Sequence, residues 1–123
     1  MIADFTKYAQ IKATPSAEKM LSVQNPLGII PKYVHIACDH DSVPYTTNGY
    51  LKELWLNDSF GMGVGTNGST GVNSYGGYKT VSQTPTQNEA FYLSVSEISI
   101  YKGSGTVSNR WHTGTEYTVH IYA

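Results

Sequence analysis

Apolar and polar residues alternate with a period of two along several short segments of the chain, which is typical of β-strands that are buried on one face. The alternation is clear in residues 5–13, where Ala9, Ile11 and Ala13 share one side. It returns in the closing segment "GTEYTVHIYA", where Tyr117 and Val119 share a side with Ile121. We therefore predict a strand in each of these segments.

The segment "IIPKYVHIACD" is apolar on both sides of the predicted strand. Val34, Ile36 and Cys38 share one side, and the opposite side begins with Tyr33 and His35. Strands that are apolar on both faces are usually central in a sheet or lie inside a sandwich. This segment is therefore predicted to be a central strand.

Turn signals and changes of phase divide the remaining segments. Asn48-Gly49 favours a type I′ turn, which predicts a hairpin. In "EAFYLSVSEISIYKG" the apolar phase changes near Ser96 or Glu97, which predicts one long strand with a β-bulge. Residues 15–22 hold helix formers too briefly for a stable helix, and residues 19–24 are predicted to be a strand.

Many short strands with turns between them indicate an all-β protein. We predict an antiparallel β-sandwich, jelly-roll or immunoglobulin-like, that contains a long Gly-rich loop. The length favours a single domain spanning residues 1–123, with a short N-terminal leader of about residues 1–14.

The predicted loop is "GMGVGTNGSTGVNSYGG", residues 61–77, which holds seven of the twelve glycines. Gly63, Gly65 and Gly68 match the spacing G-x-G-x-x-G, but the residues after them cannot form the helix that a dinucleotide site requires. We expect no nucleotide and no other cofactor. A connection of this length is usually functional or disordered. If it is functional, its polar and aromatic side chains are candidates for binding: Asn67, Asn73, Tyr75 and Tyr78.

Composition argues against an electrostatic partner. Charged residues make up 14% of the chain, the formal net charge is −1, and the eight basic residues are scattered. Nucleic acid is therefore an unexpected partner. We also expect no membrane association, because no apolar run approaches the ~20 residues of a spanning helix. The one cysteine excludes an internal disulfide.

The run "CDHDS" places Cys38, Asp39, His40 and Asp41 together, but it lacks the spacing of a known metal site and has no identifiable second base. Its expected role is structural. Asp58, Glu89 and Glu97 are carboxylates that the sequence alone cannot bring together as a glycosidase pair. We therefore predict no catalytic residue, no metal and no enzyme activity.

The two tryptophans lie in different contexts. Trp55, between Leu54 and Leu56, is predicted to be in the core. Trp111 lies in "SNRWHTGTEY" near a loop, and two interpretations stand: an exposed ring that binds a ligand, with Arg110 and His112 at the rim, or a ring that caps the core.

The strand "IIPKYVHIA" after Leu27-Gly28, and the segment "GTEYTVHIYA" after "SIYKGSG", give residues 19–123 a loose resemblance to small all-β modules of bacteriophage virion proteins. Such modules are head-associated or fibre-associated. The resemblance implies a β-sandwich used in virion assembly or surface display, and it carries over no catalytic residue. The absence of an N-terminal attachment region favours a capsid accessory over a fibre tip.

We therefore expect a non-enzymatic virion structural protein, most simply a capsid decoration protein that is assembled in the host cytoplasm. Its expected partners are the major capsid protein or other virion proteins, with homo-oligomers or multivalent docking on a lattice. The alternative is a glycan-binding or receptor-binding module of a tail or head fibre, in which exposed aromatics such as Trp111, Tyr75 and Tyr78 stack on sugars.

Overall fold

The computed structural model describes residues 6–39, 42–43, 50–66, 72–86, 89–101 and 110–123. Nine strands and no α-helix occur in these residues, which confirms the prediction of an all-β protein. The strands are β1 (Tyr8–Ala13), β2 (Met20–Gln24), β3 (Tyr33–Ala37), β4 (Leu51–Asn57), β5 (Phe60–Thr66), β6 (Val72–Thr80), β7 (Ala90–Leu93), β8 (Glu97–Tyr101) and β9 (Tyr117–Tyr122).

All nine strands belong to one sheet, in the order β1-β9-β3-β4-β5-β6-β7-β8-β2, and this sheet nearly closes on itself. The sheet is mixed, because β6 and β7 pair in parallel while the other pairs are antiparallel. The central position predicted for the strand after Pro31 is confirmed, since β3 lies between β9 and β4.

One hydrophobic core fills the inner face of the sheet. It contains residues from β2, β3, β4, β6, β7, β8 and β9, together with Trp111, whose ring is fully buried. The Trp111 ring stands edge-on to Tyr117, with ring centroids 5.1 Å apart. The Tyr117 hydroxyl donates a 2.6 Å hydrogen bond to the Leu51 carbonyl, so this buried polar group is satisfied.

The predicted alternation is confirmed in the first, third and last strands. Ala9, Ile11 and Ala13 are the more buried residues of β1, and Val34 and Ile36 are fully buried in β3. In β9 the three residues on the predicted apolar side are all fully buried. The period-two pattern therefore identifies the inner face wherever the outer face of a strand is exposed or half-buried.

The prediction of one long bulged strand in residues 89–103 is wrong, because the segment forms the antiparallel pair β7 and β8. Val95 and Ser96 form the turn, and the Ser94 amide donates to the Glu97 carbonyl at 2.9 Å. The Ser94 hydroxyl in turn accepts from the Glu97 amide at 2.9 Å. The change of apolar phase therefore marks a reversal of the chain and no bulge.

The prediction of a long Gly-rich loop is also wrong. Gly61, Gly63 and Gly65 lie in β5, and residues 72–80 form β6, which pairs with β5. A Cβ on Gly61 would overlap Leu56 Cδ2, and one on Gly63 would lie 2.9 Å from Leu51 Cδ2. The leucine side chains of β4 therefore occupy the space beside these glycines of β5, and a Cβ here would require a side chain to shift.

The remaining predictions concern the N-terminal half. Residues 15–19 are irregular and β2 begins at Met20, so the prediction of a strand there is confirmed. Within the predicted leader, Tyr8–Ala13 forms β1 and pairs with β9. The predicted Asn48-Gly49 turn lies outside the described residues.

Candidate binding site

The outer face of β3, β4 and β5 carries an apolar groove of about 230 Å³. We call it the aromatic groove, and its lining residues are Tyr33, Trp55, Leu56, Asn57, Phe60 and Met62. Phe60 and Met62 are 53% and 51% exposed, and they face outward because Gly61, which lies between them, faces the core. The same Gly-x-Gly alternation that closes the core therefore presents large apolar side chains to solvent.

The β4–β5 turn fixes one end of the groove. The Asn57 Oδ1 atom accepts hydrogen bonds from the amides of Ser59 and Phe60 at 2.8 and 2.9 Å, and from the Ser59 hydroxyl at 3.1 Å. Backbone amides are obligate donors, so these bonds set the orientation of the side-chain amide. Asn57 Nδ2 has no hydrogen-bond partner among the described residues, which makes it a donor for a ligand in the groove.

A row of directly opposed side chains crosses the sheet beside the groove. Strand pairing places Gln10, His120, His35, Trp55 and Met62 in register, one on each of five neighbouring strands. The rings of His35 and Trp55 stack with centroids 5.5 Å apart, and those of His35 and His120 stack at 5.6 Å. The groove is therefore continuous with a pair of histidines.

Polar partners hold both histidines. His35 Nε2 lies 2.9 Å from Glu53 Oε1, and His120 Nδ1 lies 2.7 Å from the Tyr8 hydroxyl. Burial lowers the pKa of His120, and the nearby charge of His35 lowers it further. The neutral imidazole of His120 is therefore favoured in the folded protein.

A second row consists of tyrosines. Tyr122 lies between Tyr8 and Tyr33, with ring centroids 5.0 and 5.6 Å away respectively. Burial raises the pKa of Tyr33, and the charges of Tyr122 and Glu53 add to this effect. The neutral form of the Tyr33 hydroxyl is therefore favoured, and the row of aromatic rings extends from β1 to the groove.

The predicted binding residues do not come together at this groove. Trp111 and Tyr78 are fully buried, so their rings have no exposed face for a ligand. Asn73 and Tyr75 lie in β6, and Asn67 lies outside the described residues. Of the two interpretations of Trp111, the structure supports the ring that caps the core.

The prediction that Trp55 is a core residue is wrong. Leu54 and Leu56 are fully buried, and the alternation of β4 puts Trp55 on the outer face, where it is half-buried and lines the groove. Arg110 and His112, predicted as a rim beside Trp111, both contact Tyr50: Arg110 lies 4.4 Å above its ring, and His112 meets it edge-on at 4.7 Å.

Cys38 is half-buried against the core, and its thiol donates to the Lys52 carbonyl at 3.4 Å. Burial raises the pKa of this thiol to about 11, although the Lys52 charge and a Ser42 hydrogen bond oppose the shift. A thiol with this pKa is a poor nucleophile at neutral pH. Within the described residues no metal-ligating group of three or more side chains is formed, and His40 and Asp41 lie outside them.

Glu97 lies in a hydroxyl cluster on the outer face of β2 and β8. Its carboxylate accepts hydrogen bonds from Thr84 at 2.7 Å, Ser99 at 2.8 Å and Ser22 at 3.4 Å. The bonds from Thr84 and Ser99 lower the pKa of Glu97. This is the opposite of the raised pKa that a general acid needs. Ser22 and Thr84 are exposed, whereas Ser99 is fully buried.

In the part of the chain that the structure describes, we find no helix with the length and hydrophobicity to cross a bilayer. No protein-family model, curated protein or solved structure matches this sequence. The physical character of the groove and its neighbours is therefore the basis for a functional proposal.

Sequence reasoning missed most of the groove. The outward position of Phe60 and Met62 has a signal in the sequence, because each alternates with a glycine in "FGMGVG". Tyr33 and His35 were visible as the second apolar side of β3. Their meeting with Trp55 and His120 depends on strand register, which no local pattern specifies.

Proposed function

We propose that this is a non-enzymatic structural protein that assembles through its aromatic groove, and that it serves in a bacteriophage virion as a capsid decoration or accessory protein. The observation that carries the proposal is the exposed apolar lining of the groove. Scattered apolar side chains are normal on a protein surface, but a contiguous patch that includes a tryptophan is characteristic of interaction sites. Tryptophan and tyrosine are also the residues most enriched in binding hot spots.

A second copy of this chain is the first partner we infer. A two-fold symmetric interface places the same patch on both sides, so a patch of one charge sign would repel itself. The residues that line the groove include no charged side chain. Of the carboxylates on the neighbouring residues, Glu53 is held by His35 at 2.9 Å, and Asp58 lies in the exposed turn between Asn57 and Phe60. An uncharged, apolar surface is complementary to itself.

The virion setting is supported by the resemblance of residues 19–123 to phage modules and by the composition. A protein with a formal net charge of −1 relies on apolar burial and uncharged hydrogen bonds for association. On a capsid lattice, repeated weak contacts raise apparent affinity by about 10² to 10⁴. We also propose that the sheet forms two sandwich-like layers. Residues of β3, β4 and β9 share one core with residues of β2, β7 and β8.

Glycan binding is the second candidate, and the end of the groove is the observation that favours it. Trp55 and Phe60 offer aromatic surface, and Asn57 Nδ2 offers a donor beside them. Sugars bind by stacking apolar ring faces on aromatics while neighbouring amides bond the hydroxyls. A glycan array with the wild-type chain and Trp55→Ala tests this candidate separately.

Sedimentation velocity tests self-assembly. We expect a concentration-dependent dimer or higher oligomer whose dissociation constant changes little between about 0.1 M and about 1 M sodium chloride, although the Debye length falls from about 10 to about 3 Å. The double variant Phe60→Ser, Met62→Ser should be monomeric. Ile30→Ser is the matched control, because Ile30 is 56% exposed but lies between β2 and β3.

A wild-type chain that remains monomeric at all concentrations would contradict self-assembly, and so would equal effects of the double variant and its control. The virion setting has its own test, which is co-sedimentation with phage capsids at both salt concentrations. Retention on a bacterial polysaccharide with no capsid binding would replace decoration by the glycan-binding alternative.

A further inference from the structure

His35 and His120 are directly opposed on neighbouring strands, and their rings stack with an interplanar angle of 20°. Imidazole is the side chain that changes charge between about pH 5 and 8. In acid the same geometry brings two cations face to face, with centroids 5.6 Å apart.

The groups around His120 do not compensate a second positive charge. From β1, Tyr8 bonds its Nδ1 atom and Gln10 lies opposite, and neither is a carboxylate. Lys12 of the same strand adds a positive charge, which is directed to Glu116 at 3.9 Å. The neighbours of His120 along β9 are Thr118 and Tyr122 on the same face.

The groups around His35 compensate one charge only. From β4, the Glu53 carboxylate lies 2.9 Å from Nε2, and Trp55 stacks on the ring. Tyr33 is the titratable neighbour on the same face of β3. The charge of Glu53 therefore balances the first proton that the two imidazoles bind. The second proton adds a net positive charge beside the aromatic groove.

We infer that the histidine pair makes the aromatic groove an acid-sensitive contact, which holds its partner at neutral pH and releases it when His35 and His120 are both protonated. This inference rests on the proposed function. Docking of an apolar surface removes water from the neighbouring rings, and desolvation disfavours the charged form of a histidine. Binding of the partner and binding of the second proton therefore disfavour each other.

Trp55 connects the histidine pair with the aromatic groove. Its ring contacts His35 on one side and lines the groove on the other. The net positive charge of the doubly protonated His35–His120 pair attracts water to the edge of the groove, where the partner needs a dry surface. The effect on binding therefore needs no change in the fold of β3 or β4.

Sedimentation velocity at about pH 7.5 and about pH 5.5 tests the release of a second copy. The proton that docking must exclude weakens association about tenfold per pH unit below its pKa. Because the pKa of His120 is lowered from the ordinary histidine value of about 6.5, we expect the dissociation constant of the wild type to rise by up to about tenfold at about pH 5.5. His120→Gln removes the second charge and should keep the neutral-pH affinity while losing most of the acid response. His112→Gln is the control, and its acid response should equal that of the wild type.

NMR titration of the imidazole C2 protons tests the pair without any partner. The pKa of His120 should rise in His35→Gln, because a neighbouring positive charge has been removed. An unchanged pKa would overturn the coupling, and so would acid dissociation that persists in His120→Gln. Self-association of equal strength at both pH values overturns the acid release alone, whereas a chain that is monomeric at pH 7.5 overturns the proposed function and the release together.

Discussion

The two tryptophans have opposite surroundings. The ring of Trp111 is fully buried, packs against Tyr117 and belongs to the core, although it follows a polar segment of the sequence. Trp55 lies in the middle of an apolar strand, yet it is half-buried on the outer face and lines the aromatic groove. The apolar character of the flanking residues therefore does not tell which ring is needed for folding and which is available for binding.

The difference follows from alternation along β4. Leu54 and Leu56 occupy the inner positions, so Trp55 between them must point outward. Once outside, its ring is positioned by cross-strand neighbours on both sides, His35 and Met62. Exposed apolar surface that is held in place by its neighbours contributes little to folding and keeps its hydrophobic free energy for a partner.

Removal of each tryptophan ring should give the largest change in the free energy of unfolding. Trp111→Ala should lower the free energy of unfolding by about 3–5 kcal/mol, as expected when a large core side chain is removed. Trp55→Ala should lower it by only about 1–2 kcal/mol, since the ring is partly solvated in the native state. Urea denaturation of both variants measures the difference, and equal losses would contradict the assignment of one ring to the core and the other to the groove.

The two sides of β5 allow the same comparison within one strand. Gly61→Ala should lower the free energy of unfolding by about 1–3 kcal/mol, because the new Cβ would overlap Leu56 on the inner side. Met62→Ala, at the next position but on the outer side, should change it by about 0.5 kcal/mol or less. Thermal and urea unfolding provide the measurement. A neutral Gly61→Ala would show that β5 can move away from β4.

Among the variants expected to destabilise the fold, the smallest loss comes from the hydroxyl cluster, whose polar groups bind one another. Glu97→Gln should cost about 0.5–1 kcal/mol at neutral pH, as expected for exposed hydrogen bonds to a carboxylate. The lowered pKa of Glu97 sets the pH dependence. This stabilisation is present above the ordinary glutamate pKa of about 4.3 and is lost as the pH falls through the lower folded value.

Unfolding of wild type and Glu97→Gln at about pH 6 and about pH 3 should therefore show a difference that shrinks in acid. Self-association of Glu97→Gln should equal that of the wild type, because the cluster lies on β2 and β8, away from the groove. A loss of self-association in Glu97→Gln would remove the distinction between the two outer surfaces.

Sequence patterns predicted the strands whose two faces differ in polarity. Ile11, Val34 and Val119 lie on the inner sides that the alternation indicates. The pattern gave a wrong prediction where a turn is short and polar. The serines around Val95 continue the alternation of a strand, and the chain reversal is evident from the hydrogen bond between Ser94 and Glu97.

The glycines of β5 misled for a different reason. Glycine is rare in strands because it has no side chain to pack, so a glycine-rich run favours a loop prediction. Here the missing side chains leave room for the side chains of Leu51 and Leu56 on the neighbouring strand. The groove itself depends on residues that are far apart in the chain, such as Tyr33 and Phe60, and on a register that is fixed only when the strands pair.

The position of β9 in the sheet has a consequence for how the protein is made. Strand β9 is the last of the nine in sequence, yet it lies between β1 and β3, and among the strands that the structure describes it is the one that pairs with β1. A ribosome-bound chain that lacks residues 117–122 leaves β1 without a neighbour and β3 with one open edge. Folding must then wait for synthesis of β9, and pairing over such sequence distances is slow, on the order of milliseconds to seconds. Until then, the open edge of β3 is a site at which nascent chains on the same message can pair with one another.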